Sequence, residues 1–219
     1  MNIRHIATSG MKKGQSDSAS AATDNAELQL IQRIARKDKE AFETLYQLYH
    51  QRLARFITPI FRDCSAASPE EIINDTMFVV WRRSVDFRQD SKVSTWIFGI
   101  AYRTALSERK KLIAKAAPLS DLEAEQPSEF CKELQRINFQ NWLTLAINQL
   151  SPEHQAVVRL TYWEGFSYIE IAQTLACPVN TVKTRMHYAK SKLKSLLPQL
   201  LGEEAEGFDI SEVLAGIIN

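Results

Sequence analysis

The sequence predicts an all-α protein: two small helical domains joined by a flexible acidic linker, the C-terminal one with a helix-turn-helix. Three observations carry this. Apolar residues recur at three- and four-residue steps along most of the chain, and no stretch alternates at the two-residue step of a strand. Midway, Pro118 and Pro127 interrupt a run holding Asp121, Glu123, Glu125 and Glu129 but no Lys or Arg between Ala116 and Cys131. Near the end, Ser167–Leu197 reads as a short helix, a break at Cys177-Pro178, and a longer basic helix.

Composition bounds the problem. The chain has 219 residues, 45% hydrophobic and 24% charged, which suits an ordinary globular protein of one large or two small domains. No apolar run approaches the length of a membrane span, and the first twenty residues lack the apolar core of a secretory signal. Cys64, Cys131 and Cys177 give no paired metal spacing and an odd number for disulfides, so a reducing cytoplasm is the expected home. The net charge of +1 conceals a segregation. Residues 27–113 carry 15 basic and 11 acidic groups, and 138–200 carry 6 and 3. The linker, 114–137, and the tail, 201–219, are both net acidic. Two basic blocks with acidic partners suit two nucleic-acid-facing domains.

The elements follow in order. Residues 1–26, rich in Ser and Ala without a period, read as a disordered lead-in. The first domain, 27–113, opens with Leu28, Ile31, Ile34 and Ala35. A second helix follows, capped by Asp38 and carrying Phe42, Leu45, Tyr46, Tyr49, Leu53, Phe56 and Ile57. After a loop around Cys64–Pro69, EEIINDTMFVVWRR makes a third helix, acidic at its start and ending in Arg82-Arg83, as the helix dipole favours. Ile72, Ile73, Thr76, Val79 and Val80 form its inward side, which leaves Glu71, Asn74 and Asp75 outward. Phe87–Ser94 is a polar loop, and Thr95–Lys111 a fourth helix with Trp96, Ile97, Ile100 and Ala101 apolar.

The second domain, 138–200, has a helix beginning near Ile137, then one capped by Ser151 with Pro152 in its first turn and ended by Gly165. The helix-turn-helix comes next. Its first helix shows Ile169, Ala172 and Leu175, with Cys177 a small buried residue at the turn. The second, capped by Asn180 or Thr181, has a seam of Val182, Met186, Ala189, Leu193 and Leu196. At 100° per residue Thr184, His187, Tyr188 and Ser191 point away from that seam, with Lys183, Arg185, Lys190 and Lys192 on its flanks. Outward residues of this kind reach base edges in a major groove while flanking cations grip phosphates. No acidic residue falls between Ile171 and Gly202. The tail carries Ile210, Val213, Leu214, Ile217 and Ile218 behind an acidic stretch, a short amphipathic pattern able to fold back on the basic helix or meet a partner.

An enzyme is not expected. The four histidines are scattered, no nucleophile or metal-ligand spacing occurs, and no Gly-rich phosphate loop is present, so no catalytic residue, metal or cofactor is assigned.

Three pieces in order resemble one family over roughly residues 27–200: EEIINDTMFVVWRR, FRQDSKVSTWIFGIAYRTALSERKK, and LSPEHQAVVRLTYWEGFSYIEIAQTLACPVNTVKTRMHYAKSKLKSLL. The chain resembles an extracytoplasmic-function sigma factor of bacterial RNA polymerase. The resemblance implies that the first domain is sigma domain 2 and the second sigma domain 4. It also implies core polymerase, promoter DNA and an anti-sigma factor as partners, and a monomer when free.

By the same resemblance Glu71, Asn74 and Asp75 face the polymerase. Lys183, Thr184, Arg185, His187, Tyr188 and Lys190 contact the −35 element. Phe87, Arg88, Lys92, Trp96, Arg103, Arg109 and Lys110 line the −10 and melting site. Phe87, Trp96, Phe98 and Tyr102 are candidate stacking partners for unpaired bases. Arg103 stands where the family usually has a small polar residue. The alternative reading is a helix-turn-helix regulator acting without a polymerase holoenzyme; the Glu71/Asn74/Asp75 helix and the Trp96 segment speak for the sigma reading.

Overall fold

In the computed structural model the backbone is described for residues 13–61, 68–116 and 139–201, and side chains for 21–61, 68–114 and 144–196. Eight α-helices occupy these residues: α1 (Lys13–Ala35), α2 (Lys39–Ile57), α3 (Pro69–Arg83), α4 (Val93–Ala116), α5 (Phe139–Asn148), α6 (Pro152–Tyr162), α7 (Tyr168–Leu175) and α8 (Val179–Leu201). Short 3-10 turns follow α2 at Thr58–Phe61 and α3 at Ser84–Asp86. No strand occurs among the described residues. The chain divides into two compact units: the first takes the chain up to Leu112 together with Ala172–Ala176, and the second takes Ile113–Ile171 and the chain from Cys177 onward.

In the first unit, α1 packs on α2 and α2 on α3. Asp38 caps α2: its carboxylate accepts the Ala41 amide at 3.1 Å and the Arg33 Nε–H at 2.8 Å. Those bonds hold the Asp38 carboxyl below the usual carboxylate range, the Ala41 amide being the main cause. Ser68 caps α3, accepting the Glu71 amide at 3.4 Å. The core comprises Ile31 and Ile34 from α1, Leu45, Tyr49, Leu53, Phe56 and Ile57 from α2, Ile72, Ile73, Met77 and Val80 from α3, and Ile97, Phe98, Ala101 and Tyr102 from α4.

Several boundaries differ from the sequence expectation. The lead-in expected to be disordered is helical from Lys13. Ala19, Ala21, Ala22 and Ala26 give that stretch high helix propensity. The helix is also anchored by side chains: Asp24 pairs with Lys92 at 3.2 Å, and Glu27 with Arg52 at 3.4 Å. The fourth helix begins at Val93 and runs to Ala116, past the expected start of the linker at Ala114. Val79 is only half-buried, and Met77, omitted from the expected inward side, is fully buried in its place. The acidic stretch from 117 to 138 and the tail from 202 lie outside the described residues.

Glu27 is an ionisable group inside this core, 3% exposed. Burial raises its carboxyl pKa, and the Tyr49 hydroxyl and then the Arg52 guanidinium offset this only in part. Above pH 4.5 the unfolded chain loses this proton first while the fold retains it, so the folded state holds more protons across that window. Stability contributed at this site therefore falls as pH rises through it. Glu27→Gln removes the titration. The stability difference, wild type minus variant, is expected to move against wild type as pH rises from 4.5, measured by urea unfolding at stepped pH.

In the second unit α6 and α5 both pack on α8. Ser151 caps α6, its hydroxyl accepting the His154 amide at 3.5 Å. Gln155 Nε2 donates to the Leu150 carbonyl at 2.8 Å, closing the turn between α5 and α6. Arg159 donates to Asn148 Oδ1 at 3.2 Å and lies over the Trp163 ring at 5.7 Å. Burial pushes its guanidinium down to about 10. Gly165 ends this segment at φ 67, the left-handed conformation that costs glycine least.

The α7 start is a reciprocal capping box: the Ser167 amide donates to Glu170 Oε2 at 2.7 Å and the Glu170 amide to Ser167 Oγ at 3.3 Å. Ala172 and Leu175 are buried as expected, but Ile169, expected in the same α7 seam, is 64% exposed, and Ile171 is buried in its place. Both choices fit three- and four-residue spacing, and only packing decides between them. The expected cap of the last helix shifts too. The helix starts at Val179, and the Pro178 carbonyl accepts the Thr181 and Val182 amides at 2.9 and 3.3 Å. Val182, Met186, Ala189, Leu193 and Leu196 form the buried seam as expected.

Candidate functional site

The basic helix presents the face its period predicts. With Val182, Met186 and Ala189 buried, Lys183, Thr184, His187, Tyr188 and Ser191 are exposed, and Arg185 and Lys190 are half-exposed on the flanks. Thr184 Oγ1 donates to the Asn180 carbonyl at 2.9 Å, which leaves the hydroxyl oxygen only acceptor capacity. Arg185 leans back towards the turn, its Nη1 lying 3.9 Å from Cys177 Sγ. Cys177 is half-exposed and not the small buried residue expected. Tyr188 is 60% exposed, its ring 5.9 Å from His187 and 6.4 Å from His154. No Asp or Glu lies on α8, so the charges on its exposed face are all positive.

On the first unit, the loop before α4 and the exposed side of α4 gather the other predicted residues. Phe87 and Trp96 are half-exposed and pack on each other with centroids 5.0 Å apart and planes at 43°. Arg88 and Arg103 are exposed, and Lys92 Nζ is paired with Asp24. Partial burial and then the charge of Arg83 lower the Arg103 guanidinium pKa. Cations gathered in this way are relieved by an incoming phosphate. Arg109 is half-buried and Lys110 exposed further along α4. Two of the expected stacking aromatics do not qualify. Phe98 is fully buried against Phe56 at 5.2 Å, and Tyr102 is only 5% exposed. They face the core because α4 turns its Ile97–Ala101–Tyr102 side towards α2.

Glu71, Asn74 and Asp75 are all exposed on α3. Beside them lies a feature the sequence reading missed, a groove of about 400 Å³ between α2 and α3 lined by Phe42, Tyr46, Asn74, Met77, Phe78 and Trp81. The Tyr46 hydroxyl donates to Asn74 Oδ1 at 2.9 Å, and Phe42 stands edge-on to Trp81 at 5.2 Å. Lys37 donates to the Trp81 carbonyl at 3.2 Å and lies over its ring at 5.1 Å. Phe78 is 57% exposed. The available signal was Phe78 itself, a large aromatic left outside the helix's inward set. Among the described residues no three His, Cys, Asp or Glu side chains gather as for a metal, and no helix is long and apolar enough to cross a membrane.

Comparison with known proteins shows what the chain as a whole is similar to. The family described as Sigma-70, region 4 matches residues 140–193. The RNA polymerase sigma-H factor of Pseudomonas aeruginosa is 29% identical over 195 residues, covering 83% of this chain and 98% of that protein. The ECF RNA polymerase sigma-E factor of Haemophilus influenzae is 26% identical over 199 residues, covering 84% of this chain and all of that one. Over nearly the whole length of those relatives, the chain is similar to extracytoplasmic-function sigma factors. Both its units are spanned by those relatives, so the sigma resemblance is not confined to the helix-turn-helix. Two solved structures share the fold of this chain. They are CnrH in complex with the cytosolic domain of CnrY (TM-score 0.56, 22% identity, 78% of this chain and 97% of that one) and the Bartonella quintana RpoE in complex with the anti-sigma factor NepR (TM-score 0.55, 23% identity, 71% and 96%).

Proposed function

We propose that this chain is a sigma factor, a non-catalytic cytoplasmic protein and a monomer when free, that binds core RNA polymerase and directs initiation by a two-point grip on the promoter. Residues 27–113 act as domain 2 and residues 138–200 as domain 4, with 114–137 as the linker. The observation that carries this reading is the acid-free exposed face of α8, Lys183, Thr184, His187 and Tyr188, raised over a fully buried seam. That face enters the major groove of the −35 element, where outward residues read bases and Lys183, Arg185 and Lys190 hold phosphates. On the first unit, the Phe87–Trp96 pair offers unpaired −10 bases a stacking surface. Arg88, Lys92, Arg103, Arg109 and Lys110 supply the cationic path beside it.

The α2–α3 groove, with Glu71, Asn74 and Asp75 at its side, receives the polymerase. Exposed Phe78 and half-exposed Trp81 have the character of interface anchors, large rings with a wet neighbourhood to exclude. An anti-sigma factor competing for the same groove would silence the protein, as would one covering α8. Run-off transcription with purified core polymerase tests the function: added protein is expected to yield discrete transcripts from genomic promoters that core alone does not initiate. Identical initiation with and without it would return the protein to a holoenzyme-independent regulator. Phe78→Ser tests the groove. Because the ring is already mostly exposed, folding is expected to be intact, while core affinity drops about tenfold or more, measured by competition for core against wild type.

A further inference from the structure

The recognition helix is not the only element that shapes its own reading face. Tyr188 projects outward from α8, yet its ring is bracketed by two imidazoles at distances and tilts typical of aromatic pairs: His187 at 69° and His154 at 52°. His187 is its chain neighbour. His154 comes from α6, thirty-four positions earlier, and is itself held from behind, its Nδ1 3.0 Å from the hydroxyl of the cap residue Ser151. Beneath the bracket lies a cleft of about 440 Å³, with Leu150, Ser151 and His154 on one side and Tyr188, Ser191 and Lys192 on the other. A phenol side chain has two places to go here. It can stand out towards a groove of DNA, or it can turn into the cleft and cover Leu150, where it reads nothing. The imidazole of His154 lines the cleft beside the Tyr188 ring, with the two centroids 6.4 Å apart.

We propose that His154 is a positioning residue for promoter readout: from α6 it holds the Tyr188 ring in its outward, base-reaching rotamer. The proposal rests on the placement of Tyr188 in the −35 major groove. It assigns a specificity role to a residue off the recognition helix, at a contact that no spacing within α8 reveals. His154 touches no base in this account and acts through Tyr188.

The test selects duplexes from a pool randomised over the bound segment, using holoenzyme containing the full chain. Dissociation constants for the best duplex and its single-base variants are then measured for wild type, His154→Ala, His154→Gln, His154→Phe, Tyr188→Ala and the His154→Ala/Tyr188→Ala double variant. His154→Ala and His154→Gln are expected to lose roughly threefold to tenfold of the base preference at the position that Tyr188→Ala flattens. His154→Phe, which keeps a ring at the bracket, retains it, and the double variant is no worse than Tyr188→Ala. A uniform loss across all duplexes, additive effects in the double variant, or an unchanged preference in both His154→Ala and His154→Gln overturns the positioning role. Tyr188→Ala with unaltered preference overturns the placement of Tyr188 on the bases instead, which separates failure of that reading from failure of the role given to His154.

Discussion

Reversing charge at Lys183 and Arg185 together, each to Glu, is expected to lower affinity for a −35 duplex by roughly a hundredfold or more near physiological salt, with binding to core polymerase intact. The change removes two cations from the exposed flanks of α8 and places two carboxylates against phosphates, on a helix that otherwise carries no acidic group. Lys183 is exposed, so its replacement is expected to cost the fold little. Arg185 is half-exposed against Cys177, so Arg185→Gln is the variant that removes charge with least disturbance of the turn. Salt dependence separates a phosphate grip from base reading. Lys183→Ala is expected to weaken all duplexes alike and to reduce the slope of log affinity against log salt by about one. Fluorescence anisotropy across a salt series gives both quantities. A slope unchanged in the double variant would remove α8 from the promoter.

This prediction stands mostly on what the sequence already displayed. The α8 seam is legible because the helix buries one face only, so Val182, Met186, Ala189, Leu193 and Leu196 mark the inside and the cations mark the outside. Caps were legible for a similar reason. Asp38 and Ser151 are short acceptors placed before apolar runs, and each accepts an amide three residues on. The acidic face of α3 was readable by elimination, its outward residues being those that the seam excludes.

What could not be read depends on proximity between elements. Asn74 accepts from Tyr46 across twenty-eight positions, and His154 meets Tyr188 across thirty-four; neither spacing leaves a trace in a single helix's period. Ile169 shows the opposite failure. It obeys the three-residue step to Ala172 and still faces outward, because Ile171 with Leu175 makes an equally regular four-residue step and takes the inside. The helical start at Lys13 was hidden by composition: Ser and Ala without a hydrophobic period look like a disordered lead-in. Ala nonetheless has the highest helix propensity, and Asp24 and Glu27 hold the helix to Lys92 and Arg52.

The aromatic residues around α4 show how sharply burial divides roles that sequence alone leaves together. Phe98 and Trp96 are two positions apart, yet Phe98 is fully buried and Trp96 only half so. Around the Phe98 ring stand Phe56 at 5.2 Å, Tyr49 at 6.3 Å and the Arg52 guanidinium at 5.5 Å, the same Arg52 that pairs with buried Glu27. Phe98→Ala therefore empties a site that joins α1, α2 and α4. Its expected cost is about 3–5 kcal/mol of unfolding free energy in the first unit. That is a large part of what a domain of this size holds. Trp96→Ala is expected to cost much less, since its ring has water on one side and Phe87 on the other, yet to abolish most open-complex formation at promoters that wild type melts. Urea unfolding and permanganate footprinting of the −10 region, applied to both variants, read the two losses separately. If Trp96→Ala melted promoters as well as wild type while remaining folded, the stacking surface would lie elsewhere on the first unit. If Phe98→Ala were as stable as wild type, the core drawn here around Arg52 and Tyr49 would be wrong. The expected pattern, stability lost at one position and melting lost two residues away, follows from which side of α4 each ring occupies.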